Sequence, residues 1–340
     1  MSGGATARGP SERETAHAAG ATADGPAADE AEAEGAARSA ADEAEAEGAA
    51  RSAADEAEAE GAARSAVVPD APHSAGAREF FGMEPVDDLL HWRMRVVPEL
   101  TTPGRFLFGG CGLGAALVAL EAASGRPTIW STAQYLSYAR VGSELELTVT
   151  LAAVGRRVTQ GRVVGRVGDQ EILTVNAAAG WPQPLEVDGV WLTPPEVPPP
   201  ASCPPRRPPF DGGPSIFDRI DVRLARGLTF EEVHRGGARG EPTSALWAHV
   251  PAHLGPSAAM LSIVGDYVSG AVSQPLGRRT MSRSLDNTIR MVQLEPTEWI
   301  LCDIGMQALV GGYGHGVAHL WSERGTLLAT ASQSMSVRLW

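Results

Sequence analysis

A helix with no polar face constrains the fold of this chain more than any other feature. In the stretch RFLFGGCGLGAALVALEAA (105–123), every residue from Leu113 to Leu120 is apolar or glycine. A helix that is apolar on all sides must be buried on all sides. The neighbouring segments should therefore wrap around it, and they read as strands bounded by turn signals. These predicted strands are 91–97, 127–138, 143–154, 156–167 and 170–179.

The second half of the chain repeats this pattern. A helix is predicted over 257–271, where six apolar residues follow one helical stripe. They are Met260, Ile263, Val264, Tyr267, Val268 and Ala271. Strands are predicted before it at 216–225 and 243–250, and after it at 283–293, 298–306, 311–322 and 326–339. A strand, one long helix and then a meander of strands is an α+β order rather than an alternating β/α order.

Long antiparallel strands wrapped around one apolar helix are the layout of a hot-dog fold. We therefore predict two tandem hot-dog domains that form a pseudo-dimer within one chain. The boundaries are predicted at 79–190 and 215–340. Between them, residues 191–214 contain ten prolines in 24 positions, which indicates a proline-rich linker.

Residues 1–78 differ in composition from the rest of the chain. The unit ADEAEAEGAARSA occurs three times without change, at 28–40, 41–53 and 54–66. The unit has no large apolar residue to bury, so we predict a disordered, acidic, low-complexity tail. An acidic tail that binds a partner remains an alternative. The tail carries a net charge of −10 and residues 79–340 only −3, so the predicted domains offer no electrostatic reason to bind nucleic acid.

The composition excludes several classes of chemistry. All 28 basic residues are arginines, so Schiff-base chemistry and a pyridoxal phosphate anchor are excluded. Cys111, Cys203 and Cys302 form no CxxC pair, which argues against structural zinc and a disulfide framework and fits a reducing compartment. With no secretory signal and no apolar run of about 18 residues, we expect a cytoplasmic protein without a membrane span.

The run GCGLGA (110–115) imitates a dinucleotide-binding fingerprint because it follows a strand and begins a helix. That fingerprint also needs a second parallel strand that ends in an acidic residue. The next predicted strand, PTIWSTAQYLSY, contains none. Close packing of a buried helix explains these glycines better, and we expect no cofactor and no metal.

Four motifs occur in a specific order. They are LFGGCGLGAAL (107–117), GDYVSGAVSQPLG (265–277), SLDN (284–287), and Gln333 after GTLLA (325–329). Together they resemble the acyl-CoA thioesterase II family, whose members are double hot-dog thioesterases. The resemblance covers roughly residues 80–340 apart from the linker.

The resemblance implies an acyl-CoA thioesterase of lipid metabolism, in which Asp266, Ser284 and Gln333 hold and activate one water molecule. It also implies that double hot-dog units can form homo-oligomers. The sequence departs from the family pattern at two positions. Ser284 stands where the family more often has threonine, although both hydroxyls can donate and accept hydrogen bonds. Asn287 stands where many members have histidine, so the resemblance assigns no role to that position.

Thioester chemistry explains the residue types independently of the resemblance. A thiolate leaves easily, so the reaction needs mainly a base for water and donors for the oxyanion. A partly desolvated aspartate such as Asp266 gains a pKa useful for a base. The N–H groups of Gly109 and Gly110, at a helix N-terminus, can meet the oxyanion. Arg278, Arg279 and Arg283 suit either coenzyme A phosphates or ordinary solvated positions.

Two other functions remain open at this point. The first is a non-catalytic hot-dog protein that binds acyl-CoA, which the serine and asparagine departures keep plausible. The second is a hot-dog enoyl-CoA hydratase. This class typically has an Asp-x4-His arrangement, and neither half of the chain contains one, so a hydratase is less favoured. Asp266, Ser284 and Gln333 should converge on a common point if the hydrolase interpretation is right.

Overall fold

The computed structural model describes residues 74–183, 186–207, 213–237 and 239–339. Its helices are α1 (Ser74–Phe81), α2 (Gly109–Ser124), α3 (Ile216–Arg219), α4 (Phe230–Arg235), α5 (Ala258–Gly265), α6 (Val268–Ala271) and α7 (Ser273–Leu276). The strands of the first half are β1 (Met83–Pro85), β2 (His91–Arg95), β3 (Thr128–Tyr135), β4 (Glu144–Val154), β5 (Val158–Val167) and β6 (Gln170–Gly180). Those of the second half are β7 (Val222–Arg226), β8 (Thr243–His249), β9 (Thr280–Ser284), β10 (Asp286–Met291), β11 (Trp299–Val310), β12 (Tyr313–Ser322) and β13 (Leu327–Leu339).

All strands belong to one antiparallel sheet, in the order β1-β2-β4-β5-β6-β3-β10-β13-β12-β11-β8-β7, with β9 beside β13. The second half follows the same strand order as the first, in reverse. The two halves meet where β3 pairs with β10, for example at Thr132 and Thr288, whose hydroxyls are 2.8 Å apart. Within the described ranges, no helix combines the length and apolar character needed to cross a membrane.

The core lies between the sheet and the two long apolar helices, α2 and α5, which pack on each other. Two glycines make this contact close. A Cβ atom on Gly110 would lie 2.7 Å from the Cα of Ile263, and one on Gly114 would lie 3.1 Å from the carbonyl oxygen of Ala259. The packing interpretation of the GCGLGA run is therefore confirmed.

The α+β hot-dog fold is confirmed, and the strand predictions for the first half agree closely with the structure. Strand β4 is an example, since residues 143–154 are predicted and Glu144–Val154 are observed. Its side chains alternate between exposed and buried, with Leu145, Leu147 and Val149 in the core. This period of two is the pattern expected of a strand with one buried face.

Three predicted elements in the second half were wrong in part. The strand predicted over 283–293 is two strands, because β9 ends at Ser284 and β10 begins at Asp286. The helix predicted over 257–271 ends at Gly265, and a new short helix begins at Val268. The apolar stripe continues across this break, so periodicity alone did not reveal it. The predicted strand 216–225 begins instead as the short helix α3, because Ser215 and Asp218 form a capping box that favours a helical turn.

The predicted domain boundaries need correction at two places. Residues 1–73, which include the three repeats, lie outside the described residues. Residues 74–78 are not part of a tail, because α1 begins at Ser74 and buries Ala77, Phe80 and Phe81 in the core.

The predicted linker 191–214 is likewise attached to the second half where it is described. The N–H of Arg206 donates to the carbonyl oxygen of Val222 at 2.6 Å, and that of Leu224 donates to Pro204 at 2.9 Å. The indole N–H of Trp247 donates to the carbonyl oxygen of Pro198 at 2.9 Å. Proline limits the conformations of this segment, and these bonds hold it along strands β7 and β8.

Candidate active site

The helix break places the carboxyl group of Asp266 inside the molecule. Asp266 follows the last residue of α5 and is 2% exposed. Its Oδ2 atom accepts a hydrogen bond from the N–H of Gly110, 2.8 Å away at the start of α2. A helix N-terminus carries unsatisfied N–H groups and a partial positive charge, so it favours a carboxylate at this position.

Gln333, on β13, holds the other side of the Asp266 carboxyl group. Its Oε1 atom accepts a hydrogen bond from the N–H of Ser269 at 2.8 Å. Because a backbone N–H can only donate, the Nε2 atom must face the opposite way. There it donates to Oδ1 of Asp266 and, at 3.0 Å, to Oγ of Ser284. Gln333 thus connects the other two predicted site residues.

Ser284 lies between this buried pair and the solvent. It is the last residue of β9, opposite Met335 of β13, and its side chain is partly exposed. The structure therefore brings Asp266, Ser284 and Gln333 together at the Nε2 atom of Gln333. Ser284 is the most exposed of the three, because Asp266 and Gln333 are both buried.

The two glycines predicted to bind substrate play different parts. The N–H of Gly110 is bonded to Asp266 and is not available to a ligand. The N–H of Gly109 has no hydrogen-bond partner among the described residues, and Gly109 is partly exposed. A Cβ atom on Gly109 would lie 2.8 Å from Oδ2 of Asp266 and 3.1 Å from the hydroxyl oxygen of Tyr135. Any larger residue would fill the space beside the carboxyl group.

Sequence reasoning missed Tyr135 and left Asn287 without a role. Asn287, on β10, is fully buried, and its amide lies near both the Asp266 carboxyl group and the Tyr135 hydroxyl. Within the described ranges, neither polar atom of Asn287 nor the Tyr135 hydroxyl makes a hydrogen bond of standard geometry. The available signal for Asn287 was its position two residues before the apolar Ile289, because residues at this spacing share one face of a strand. No comparable signal marked Tyr135, because a tyrosine is an ordinary residue in a strand.

Burial raises the pKa of Asp266 to about 7. Water stabilises a carboxylate better than a protein interior does, so the protonated form is favoured there. Hydrogen bonds from Gly110 and Gln333 and the nearby amide of Asn287 oppose this effect, because they stabilise the negative charge. The carboxyl group therefore exists in both protonation states near neutral pH and can take up a proton from a bound molecule.

Nearby cysteines do not offer an alternative nucleophile. Cys111, one residue after Gly110, is buried and unpaired. Burial, and to a smaller extent the charge of Asp266, raises the pKa of its thiol well above the usual value. A thiol in that state is unreactive, because the thiolate is the nucleophile. The described residues also contain no group of three or more His, Cys, Asp or Glu side chains that could hold a metal ion.

Comparisons with known proteins agree with this architecture. Residues 195–337 match the model of the family described as "Acyl-CoA thioesterase C-terminal domain". A putative thioesterase from Novosphingobium aromaticivorans is 29% identical, with a TM-score of 0.64, over 74% of this chain and 97% of that one. A putative thioesterase II from Thermobifida fusca is 20% identical, with a TM-score of 0.65, over 80% and 100%.

A protein of unknown function with a hot dog fold from Alicyclobacillus acidocaldarius is 19% identical, with a TM-score of 0.65, over 78% of this chain and 98% of that one. These two structures of lower identity support the fold alone. None of the curated proteins compared matches the chain.

Proposed function

We propose that this chain is an acyl-CoA thioesterase of the thioesterase II family, that it hydrolyses acyl-CoA thioesters, and that Asp266, Ser284 and Gln333 activate the attacking water. The observation that carries this proposal is the buried carboxyl group of Asp266. Its pKa is about 7, and donors on two sides fix its position. A carboxyl group of this kind can act as a general base near neutral pH.

In the first step, Asp266 removes a proton from water as the water oxygen bonds to the thioester carbonyl carbon. Each carboxyl oxygen already accepts one hydrogen bond, from Gly110 or from Gln333. An ionised carboxylate offers about four lone-pair sites, so a lone pair remains for the water. The Ser284 hydroxyl can accept a hydrogen bond from the second O–H of that water while Gln333 donates a hydrogen bond to the Ser284 oxygen. The water oxygen then has a lone pair directed at the substrate.

The carbonyl oxygen becomes negatively charged as the tetrahedral intermediate forms. The N–H of Gly109, at the start of α2, has no partner in the described part of the chain and can donate a hydrogen bond to this charge. The intermediate then expels the coenzyme A thiolate. Asp266 returns its proton to the sulfur, so the balanced products are a carboxylic acid and free coenzyme A.

The test measures release of free thiol from a panel of acyl-CoA substrates of graded chain length. Asp266→Asn should lower kcat by about 10²–10⁴-fold, since proton transfer to a positioned side chain contributes that much. Asp169→Asn is the matched control, because Asp169 is an exposed residue in the turn between β5 and β6. An unchanged rate in Asp266→Asn would exclude Asp266 as the base.

The same experiment separates hydrolysis from binding alone. A protein that only binds acyl-CoA would show tight binding and no thiol release with any chain length. Its affinity for acyl-CoA would also be the same in the wild type and in Asp266→Asn. Hydration of an enoyl-CoA would change the absorbance of the conjugated thioester and release no thiol.

A further inference from the structure

A cluster of arginine and aromatic side chains, which we call the arginine–aromatic rim, lies on the surface near the candidate site. It consists of Arg105, Phe106, Tyr138, Arg140 and Arg283. The rings of Phe106 and Tyr138 lie 4.6 Å apart between their centroids. The guanidinium of Arg140 lies 5.0 Å from the Phe106 ring, and that of Arg283 lies 4.9 Å from the Tyr138 ring. The four side chains therefore form a continuous stack on the surface.

Each segment of the rim is close in the chain to a residue of the site. Phe106 precedes Gly109 by three positions, and Tyr138 follows Tyr135 by three positions. Three residues of fully extended chain span at most about 10 Å. Arg283 directly precedes Ser284. The backbone of the rim therefore adjoins Ser284 and lies within about 10 Å of Gly109.

Hydrogen bonds hold these segments together across both halves of the chain. A guanidinium nitrogen of Arg283 donates to the carbonyl oxygen of Leu136 at 3.0 Å. The N–H of Leu107 donates to Ala139 at 2.8 Å, and Phe106 pairs with Arg140 in an isolated bridge. The rim is thus a built surface, contributed by the segment before α2, the segment after β3, and β9.

The charge of the rim is not neutralised within the described part of the chain. No ion pair there includes Arg105, Arg140 or Arg283, and all three are exposed. Arg105 is also the one described residue other than glycine with a positive φ, of 62°. This backbone conformation is disfavoured for a residue with a Cβ atom and would suit glycine better.

We propose that the arginine–aromatic rim binds the nucleotide of the coenzyme A carrier, with phosphates on the guanidinium groups and the adenine ring against Tyr138. Guanidinium forks match phosphate oxygens in geometry and charge. Tyr138 is 47% exposed although Phe106 and Arg283 lie against its ring, so its open edge is accessible to the adenine base. This inference rests on the proposed function, because it assigns a place to the leaving group of that reaction.

The test compares two thioesters of the same acyl group, an acyl-CoA and an acyl-N-acetylcysteamine. Both contain the reacting bond, and only the first contains a nucleotide. Arg140→Ala and Arg283→Ala should each raise the KM for acyl-CoA by about tenfold, which corresponds to about 1.4 kcal/mol of binding. The kinetic constants for the short thioester should stay unchanged. Arg162→Ala, an exposed arginine on β5, is the control and should change neither.

Arg105→Gly guards against loss of folding, because glycine relieves the positive φ while it removes the charge. This variant should be at least as stable as the wild type and should still show the higher KM for acyl-CoA. Added salt should raise that KM in the wild type more than in the variants, since the lost interactions are ionic.

A binding measurement keeps this inference independent of catalysis. Calorimetry with adenosine 3′,5′-bisphosphate should detect binding to the wild type and about a hundredfold weaker binding to the double variant Arg140→Ala/Arg283→Ala, at tenfold for each arginine. Equal binding by both proteins, or equal effects on both thioesters, would overturn the rim proposal. A wild type that binds the bisphosphate but cleaves no thioester would instead overturn the proposed hydrolase function.

Discussion

The N–H of Gly110 donates a hydrogen bond to Oδ2 of Asp266 at 2.8 Å, although 156 positions separate the two residues in the chain. The bond joins the first turn of α2 to the end of α5, where these helices are in closest contact. A residue of the first half of the chain thus positions a carboxyl group of the second half. The geometry of the candidate site therefore depends on the packing of the two helices.

Gly110→Ala should disrupt this packing. Its Cβ atom would lie 2.7 Å from both the Cα of Ile263 and the carbonyl oxygen of Ser262, which are backbone atoms that cannot rotate away. We expect a loss of about 1–3 kcal/mol in the free energy of unfolding, as overpacked cores show, together with a lower kcat. Gly112→Ala is the control on the same helix, because its Cβ atom would meet Leu107 at 3.4 Å. Urea unfolding should rank Gly110→Ala well below Gly112→Ala, and equal stability would contradict the packing argument.

Asp266→Asn should change how stability depends on pH. The folded pKa of Asp266 is about 7, and an unfolded aspartate titrates near 3.9. Between these values the folded state holds a proton that the unfolded state has released, so this group's contribution to stability is full below about pH 4 and is lost by about pH 7. Asparagine does not titrate. The stability of the variant relative to wild type should therefore rise from pH 4 to pH 8, by at most about 4 kcal/mol. Thermal unfolding of both proteins across this range provides the measurement, and parallel curves would contradict the raised pKa.

Asn287→Leu should move the pH–rate profile. The amide of Asn287 lowers the pKa of Asp266, so a side chain of similar size without the amide should let that pKa rise. Asp266 must be deprotonated to act as a base, and the acid limb of kcat/KM should therefore shift to higher pH. Asn176→Leu, at an exposed position on β6, serves as the control. An unchanged pH–rate profile would show that Asn287 does not influence the pKa of Asp266.

Ser284→Thr should retain most of the activity, whereas Ser284→Ala should not. The role proposed for Ser284 requires only a hydroxyl within reach of the Nε2 atom of Gln333, which is 3.0 Å away. Loss of one such hydrogen bond costs on the order of 1 kcal/mol, so Ser284→Ala should lose about fivefold in kcat/KM. Equal loss in both variants would point to a steric role in place of a polar one. Steady-state thiol release at a fixed pH provides the comparison.

The fold could be predicted, and three residues whose side chains meet in the structure could be proposed in advance, because their signals are local or ordered along the chain. Alternation of apolar residues gave most of the strands, and the resemblance gave Asp266, Ser284 and Gln333. The helix break before Tyr267 could not be predicted, because apolar residues continue at helical spacing on both sides of it. At this break, the Asp266 carboxyl group contacts Gly110 and Gln333, each more than 60 positions away in the chain. A local sequence pattern does not reveal contacts between such distant positions.

Tyr135 shows a second limit of sequence reasoning. Its strand pattern reveals neither the close approach of its ring to Gly109 nor its position near Asn287, since both depend on how the halves are joined. The prolines of 191–207 show a third limit. Proline-rich composition indicates an extended chain, but the strand edge along which that chain lies is set by tertiary structure.

The pairing of β3 with β10 has a consequence for the protein as a product of one gene. If the halves were translated as separate polypeptides, each would present a bare inner strand, and such edges recruit other chains. In a single chain, β3 and β10 are covalently linked and therefore at high local concentration. Pairing of β3 with β10 in the same molecule is then faster than pairing with strand edges of other molecules. Mixing two separately produced fragments would show whether mutual recognition survives without that tether.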